Sequence, residues 1–266
     1  MGTGETLDMS SAKPALNGFL LIDKPVGPTS MQAVARVRHR AGRVKTGHAG
    51  TLDPLATGLL VLGLGRATKH LQLAMATDKV YETQIDLAGT STTLDAEVEA
   101  VPVDVPKPPD RAAVDAAIAG FRGDILQAPP AFSAMKVGGR RAYALARKGQ
   151  TPELPPRPVV VHALDVLAYE WPRVTLRIHC GKGFYVRALA RDLGAALGTG
   201  GWCVSIRRTA VGPFTIDAAM ELDDVPDAVQ QADLLSIDAV QAMLASPPSQ
   251  KTASKIDEAN QRGGGA

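Results

Sequence analysis

The sequence predicts an α+β fold built on a mixed sheet, and three observations carry that expectation. Short runs of strand character, either continuously apolar or alternating, recur along the chain. Amphipathic helical stretches fall between some of these runs and not others, so the regular strand-helix alternation of a parallel α/β protein is missing. The glycine signatures of nucleotide-binding α/β folds are missing too: Lys45-Thr46 follows Val44 rather than a glycine, and Gly63-Leu64-Gly65 lacks the third glycine of a dinucleotide turn.

In order along the chain, residues 1–16 are polar and rich in glycine and serine, which predicts disorder. Residues 18–23 form an apolar run of buried-strand length, stopped by Lys24-Pro25-Val26-Gly27-Pro28. Thr29 or Ser30 then caps a helix in which Met31, Val34, Val37 and Ala41 recur at helical spacing, with Gly42 as the stop. Arg36, Arg38, Arg40, Arg43 and Lys45, with no acid among them, are expected on the exposed side of that helix and just past its end. Residues 59–64 read as a strand and 67–76 as a helix. Over 79–87 the alternation is clear: Tyr81, Thr83, Ile85 and Leu87 share the inward face, while Glu82, Gln84 and Asp86 share the other.

A proline-rich connector at 102–109 leads into an Asp110-capped helix through Val114, Ile118 and Phe121. Residues 127–140 read as two short strands interrupted by prolines and closed by a Gly-Gly turn, 141–147 as a helix, 152–158 as a connector and 159–168 as a strand. The alternating run 173–179 turns at Gly181-Lys182-Gly183 into a helix whose apolar stripe is Val186, Leu189, Ala190, Leu193 and Leu197. Arg187 falls near the N-terminus of that helix, where the dipole disfavours a cation, so a carboxylate partner is expected for it; an ordinary surface arginine is the other reading. A last alternating strand covers 202–208, Pro213 marks a domain-like edge, a short helix covers 236–244, and the tail from 246 again has the composition of disorder.

Composition sets the outer limits. With 266 residues, 45% hydrophobic and 4% aromatic, the chain can bury a large core as one domain or one domain with a small appendage. No apolar run approaches the ~20 residues of a membrane span, and the first residues lack a basic start and an apolar signal core, so no membrane partner and a cytoplasmic location are expected. Cys180 and Cys203 stand in no ligand spacing with each other or with the histidines, which argues against a disulfide or a structural zinc. The formal net charge of +2 is too small to mark the whole molecule as a polyanion binder. Any nucleic-acid reading therefore rests on the cluster between Arg36 and Lys45, set against the late acids Glu221, Asp223, Asp224, Asp227 and Asp233.

The stretch GHAGTLDPLATG, residues 47–58, looks built for chemistry, because its glycines and Pro54 bracket one carboxylate, Asp53, and one imidazole, His48. Gly47 and Gly50 permit backbone angles that other residues avoid, so Asp53 projects from a shaped loop able to present a nucleophile. An ordinary Asp-Pro turn fits the same residues, and the loop alone does not choose. Tyr81 likewise reads either as a core tyrosine with a wet hydroxyl or as an aromatic platform.

Several ordered blocks together resemble the TruB family of bacterial tRNA pseudouridine-55 synthases over about residues 18–214: LIDKPVGPTS, GHAGTLDPLATGLL, KVYETQIDLAGTSTTLDAE, QAPPAFSAMKVGGRRAYALAR, CGKGFYVRALARDLG and SIRRTAVGPF. The resemblance implies the pseudouridine synthase fold, an α+β architecture with a mixed, mainly antiparallel sheet flanked by helices. It implies that Asp53 is the catalytic aspartate, Tyr81 the tyrosine that stacks on the target base, and Arg187 the arginine paired with the aspartate. His48 is then the histidine that fills the space left by the flipped base, Lys24 and Pro25 stand beside the active site, and Ile206 lies against the uracil pocket. The implied partner is the T arm of tRNA, the implied cofactors and metals are none, and a monomer is expected.

On this reading the chain divides into a disordered segment 1–16, a catalytic domain 17–214, a short extension 215–245 and a disordered tail 246–266. Family members carry a C-terminal RNA-binding PUA domain, and the residues after Phe214 are too few for a recognisable one. Gly181 and Phe184 stand where the family often has serine and threonine, and Ala49 replaces a common threonine. Two other functions compete. A protein that only holds or refolds tRNA is served equally well by the basic run but has no use for a carboxylate-arginine pair. A carboxylate-based glycoside hydrolase needs a second, acid-tuned carboxylate, and none is evident beside Asp53 in the sequence.

Overall fold

The computed structural model describes residues 16–133, 135–137, 139–146, 149–150 and 154–245. The two segments expected to be disordered lie outside these residues, apart from Leu16. In chain order, β1 (Gly18–Lys24) is followed by α1 (Ser30–Arg40), β2 (Thr46–His48), β3 (Thr57–Leu64), α2 (Leu71–Met75) and β4 (Lys79–Asp86). Then come the ribbon β5 (Gly89–Thr90) and β6 (Val101–Pro102), α3 (Arg111–Ala119), β7 (Gly123–Gln127), the ribbon β8 (Lys136–Val137) and β9 (Arg140–Arg141), and α4 (Ala142–Ala146). The chain continues through β10 (Arg157–Glu170), β11 (Arg173–Cys180), α5 (Val186–Leu197), β12 (Trp202–Val211), β13 (Phe214–Thr215), β14 (Met220–Glu221) and α6 (Ile237–Ala245).

One 10-stranded sheet runs β14-β1-β3-β12-β4-β11-β10-β7, with β2 on β3 and β13 on β12. Only β1–β14 and β3–β12 pair in parallel, so the sheet is mixed and mainly antiparallel, as expected. β1 and β3 read as unbroken apolar runs because both of their faces are covered. Leu20, Ile22, Leu60 and Leu62 face the larger core, to which α1, α3 and α5 contribute, while Phe19, Leu21, Leu59 and Val61 face a second core with α2 and α6. β4 and β11 are covered on one face only and alternate accordingly; their other face carries cross-strand pairs such as Glu82 with Arg177 at 2.9 Å.

β12 is the strand that builds the site. It inserts between β3 and β4, parallel to one and antiparallel to the other, and so sets the Asp53 loop, which leads into β3, beside Tyr81 on β4. The approach is so close at Gly58 (φ +100°) that a Cβ there would lie 2.2 Å from the Arg208 carbonyl oxygen, and only glycine fits.

The local expectations need some corrections. Met31 points outward, 61% exposed, and the buried stripe of α1 is Ala33, Val34 and Val37. The helix expected over 67–76 is a 3-10 turn, Gly65–Lys69, followed by the short α2, because His70 and Leu73 donate to carbonyls only three residues back. Gly47 lies in the extended β2 rather than in a turn. β7 is a strand with no clear alternation, which pairs with β10 at the sheet edge. Beyond Pro213 the chain stays in the same sheet: β13 folds back on β12, β14 pairs with β1, and the main chains of Leu235 and Phe19 exchange two hydrogen bonds of 2.9 Å.

Candidate active site

The Asp53 loop is held from three sides. Ser30, buried at the start of α1, donates its hydroxyl to the Leu52 carbonyl (2.9 Å) and accepts from the Leu52 N–H (2.8 Å). Gly27 N–H donates to the Pro54 carbonyl at 2.9 Å, and Arg208 Nη2 donates to the Gly50 carbonyl at 3.1 Å. Lys24 is wholly buried beneath the loop, and its ammonium donates to the carbonyls of Pro25 (2.8 Å), Pro28 (2.9 Å) and Pro54 (3.4 Å). Burial lowers the Lys24 pKa to about 8, against the opposing attraction of Asp53. A buried ammonium with all three protons engaged holds the loop in shape.

Asp53 thereby faces Arg187, near the N-terminal end of α5. Arg187 Nη2 lies 2.8 Å from Asp53 Oδ2, with the arginine side chain 6% exposed and the aspartate 36% exposed. The carboxylate partner expected for this cation is present, and there is a second. Asp95, 1% exposed, places Oδ2 at 3.3 Å from Arg187 Nη1 without hydrogen-bond geometry, a Coulombic contact only. Asp95 is itself fixed through Oδ1 by the Thr93 hydroxyl (2.6 Å) and the Glu97 N–H (3.1 Å). The guanidinium also donates to the Thr93 carbonyl (2.9 Å) and the Phe132 carbonyl (2.8 Å). Arg187 is therefore fixed on both arms, and only Asp53 among its partners reaches the open cleft. Burial raises the Asp53 pKa above the usual 3.8, against the attraction of Arg187.

The cleft in front of Asp53 has a volume of about 320 Å³, and its walls include Tyr81, Ile206, Phe184 and Tyr185 besides Asp53 and Arg187. That is the small end of ligand clefts, which run roughly 300–1,000 Å³. On the paired strands β4 and β12 Tyr81 stands opposite Arg208 and Ile206 opposite Thr83, one same-face step away. Burial pushes the Tyr81 phenol up, opposed by the nearby positive charge of Arg208, so the ring enters the cleft neutral. Arg208 is 1% exposed and also donates to the Leu59 carbonyl at 2.8 Å. Lys79 and Arg208 join Arg187 as cations lining this small space.

Asp53, Tyr81, Arg187 and Ile206 thus converge. His48 lies on β2 opposite Leu62 and is not part of the cleft lining; burial lowers its pKa, so its imidazole is neutral at neutral pH. Pro25 is exposed on the loop after β1. The basic run does not reach the cleft lining, and two of its members are engaged elsewhere. Arg36 pairs with Asp223 at 2.6 Å; Arg40 lies 3.6 Å from Asp227 and donates to the carbonyls of Asp223 and Val225. The acidic extension has taken them, and Arg38, Arg43 and Lys45 remain exposed.

Sequence reasoning missed Asp95, Lys79 and Arg208. Asp95 lies in an irregular segment with no periodicity to mark it, whereas Arg208, placed on an alternating strand beside apolar neighbours, carried a legible sign of a buried cation.

The chain matches the model of the TruB family pseudouridylate synthase N-terminal domain over residues 38–186 and that of the tRNA pseudouridylate synthase B C-terminal domain over residues 187–245. It is 47% identical over 231 residues to a tRNA pseudouridine synthase B of Cupriavidus pinatubonensis, covering 85% of this chain and 73% of the relative. It is 45% identical over 221 residues to the protein of the same name from an Arthrobacter species, covering 81% and 72%. Among solved structures, a chain of a Cbf5-Nop10-Gar1 complex superposes with a TM-score of 0.61 at 31% identity, covering 78% of this chain and 53% of that one. A chain of an H/ACA RNP bound to a substrate RNA containing 2′-deoxyuridine superposes with a TM-score of 0.58 at 28% identity, covering 78% and 52%. The chain spans about half the length of these two solved chains.

Proposed function

The chain belongs to the TruB family of pseudouridylate synthases, and on that premise we propose that it isomerises uridine to pseudouridine at position 55 in the T arm of tRNA, with Asp53 as the catalytic carboxylate. One observation carries the assignment of the residue: the Asp53–Arg187 pair at 2.8 Å, presented at the floor of a cleft of one-nucleotide scale. The reaction breaks the N1–C1′ bond, turns the freed uracil and joins C5 to C1′; the C5 proton leaves to solvent and N1 takes one up. It is redox-neutral and adds no atom, so side chains suffice and no cofactor or metal is called for. An ionised Asp53 can attack C1′, attack C6, or stabilise charge while a glycal forms, and in each case Arg187 fixes the direction of the carboxylate.

The target base must leave its stack, at a cost of a few kcal/mol, and stacking on Tyr81 returns roughly 1–3 kcal/mol of it. Ile206 offers an apolar wall and Lys24 keeps the loop in register. Residues 17–214 act as the catalytic domain with 215–245 as its extension; the protein works as a monomer, and its substrate places it in the cytoplasm.

The test is release of tritium from tRNA labelled at uracil C5. Wild type is expected to release label from tRNA carrying U55 and to release none from the same tRNA with cytidine at 55. Label release that ignores the base at 55 would overturn the position; absence of release from any tRNA would overturn the activity.

A further inference from the structure

Beyond the rim of the cleft, strand pairing assembles a cluster with a different chemistry. Asp78 precedes β4, His162 is on β10 and His179 is on β11, and His179 is opposite Val80 on one side and Ala163 on the other. His162 Nε2 lies 3.3 Å from Asp78 Oδ1 and His179 Nε2 lies 3.8 Å from Asp78 Oδ2, so the two rings address the two oxygens of one carboxylate. The ring centroids are 4.7 Å apart, and all three ligand atoms fall within 4.8 Å of one another.

We propose that Asp78, His162 and His179 form a binding site for a divalent transition ion of the zinc class, with three protein ligands and the remaining position open to water. Donor atoms around a tetrahedral zinc, at roughly 2.0–2.1 Å from the metal, stand about 3.3 Å apart, so side-chain rotations that close separations of at most 4.8 Å by up to about 1.5 Å complete the site. Two imidazoles and one carboxylate select zinc, copper, nickel or cobalt over magnesium and calcium, which prefer all-oxygen sets. Side-chain exposures of 31–50% let an ion enter and leave room for its water. The backbones carrying the two histidines are in a continuous sheet, so the geometry is largely pre-formed rather than gathered from loops.

An ion here ties the start of β4 to β10 and β11 beside the rim of the cleft. Asp78 precedes Lys79, and Gly181, two residues after His179, lines the cleft with its Cβ position 3.9 Å from Asp78 Oδ1. Sequence spacing could not disclose the cluster, because residues 78, 162 and 179 meet only through strand order.

Calorimetric titration of metal-stripped, full-length protein with zinc chloride tests the site, with magnesium chloride as control. Wild type should take up one zinc per chain and no magnesium, and its melting temperature should rise with zinc concentration. Each of His162→Ala, His179→Ala and Asp78→Asn should weaken binding at least tenfold, roughly the loss that even an outer-shell change causes. Zinc-edge X-ray absorption on the wild type needs no substitution and should show two imidazole ligands. No uptake at a large excess of zinc, equal uptake by the His162→Ala/His179→Ala double variant, or a spectrum without paired imidazoles would each overturn the site.

Discussion

Asp53 is ionised at a cost. Its pKa is raised because burial outweighs the attraction of Arg187, so the unfolded chain, with an ordinary carboxylate near 3.8, gives up this proton more readily than the folded one. The sign follows: the contribution of this group to stability is full below 3.8 and is lost as pH climbs through the raised folded value. Asp53→Asn should therefore abolish tritium release while leaving the melting temperature at neutral pH unchanged or higher, a stability-activity trade seen at many catalytic groups. A drop of several degrees would show that the Arg187 pair holds the fold. The same shift sets the pH profile: single-turnover rates at saturating tRNA should fall on acidification with a midpoint above 3.8. Arg187→Met has the opposite balance. It leaves Asp95 unpaired at 1% exposure as well as freeing Asp53, and breaking a buried pair costs ~3–5 kcal/mol. Because Asp53 is 36% exposed, the lower end of that range is expected in urea unfolding.

At the scale of elements, α1 and the turn that follows it carry two pairs of arginines with different duties. Arg36 and Arg40 hold the extension, whose Asp223 and Val225 carbonyls and acidic side chains meet them, and Val229 N–H donates to the Arg40 carbonyl at 3.0 Å. Arg38 and Arg43 have exposed side chains and are the ones available to phosphates. Arg38→Ala with Arg43→Ala should reduce the slope of log affinity for tRNA against log salt by about one for each phosphate released, with no change in melting temperature. Arg36→Ala with Arg40→Ala should leave that slope nearly unchanged and lower the melting temperature, through the partly buried Arg40 more than through the exposed Arg36 pair. Filter binding across a salt series separates the two pairs, and a wild-type slope in both double variants would show that neither pair meets RNA.

At the scale of the molecule, the site exists only because a late strand enters the middle of the sheet. β12 separates β3 from β4, and its Ile206 and Arg208 complete the cleft that Asp53 and Tyr81 begin. A chain ending at Thr199 would leave the apolar β3 and the alternating β4 without their shared neighbour and Arg208's carbonyl partners unsatisfied. It should show no cooperative unfolding in urea by near-ultraviolet circular dichroism, whereas the full chain should unfold in one step. A cooperative transition in the truncated chain would mean that residues before β12 fold without it. The long loop closure needed to bring β12 home also predicts slow folding for a domain of this size.

The local pattern determined most elements: the apolar runs of β1 and β3, the alternation of β4 and β11, the Asp110 cap and the stripe of α5 all lie in the sequence as periodicity or as a capping residue. It also offered a shaped loop for Asp53 beside an ordinary Asp-Pro turn, and a carboxylate partner for Arg187, a cation at a helix start, beside an ordinary surface arginine, without choosing. The family resemblance named Asp53 as that carboxylate; that Asp95 shares the guanidinium was decided by the order of strands, since residues 95 and 187 meet through no sequence spacing. The same holds for the extension taking Arg36 and Arg40, and for Asp78 meeting His162 and His179. Periodicity reports which side of an element is buried; it carries no information about which element lies opposite, and that is settled only when the whole sheet closes around one core.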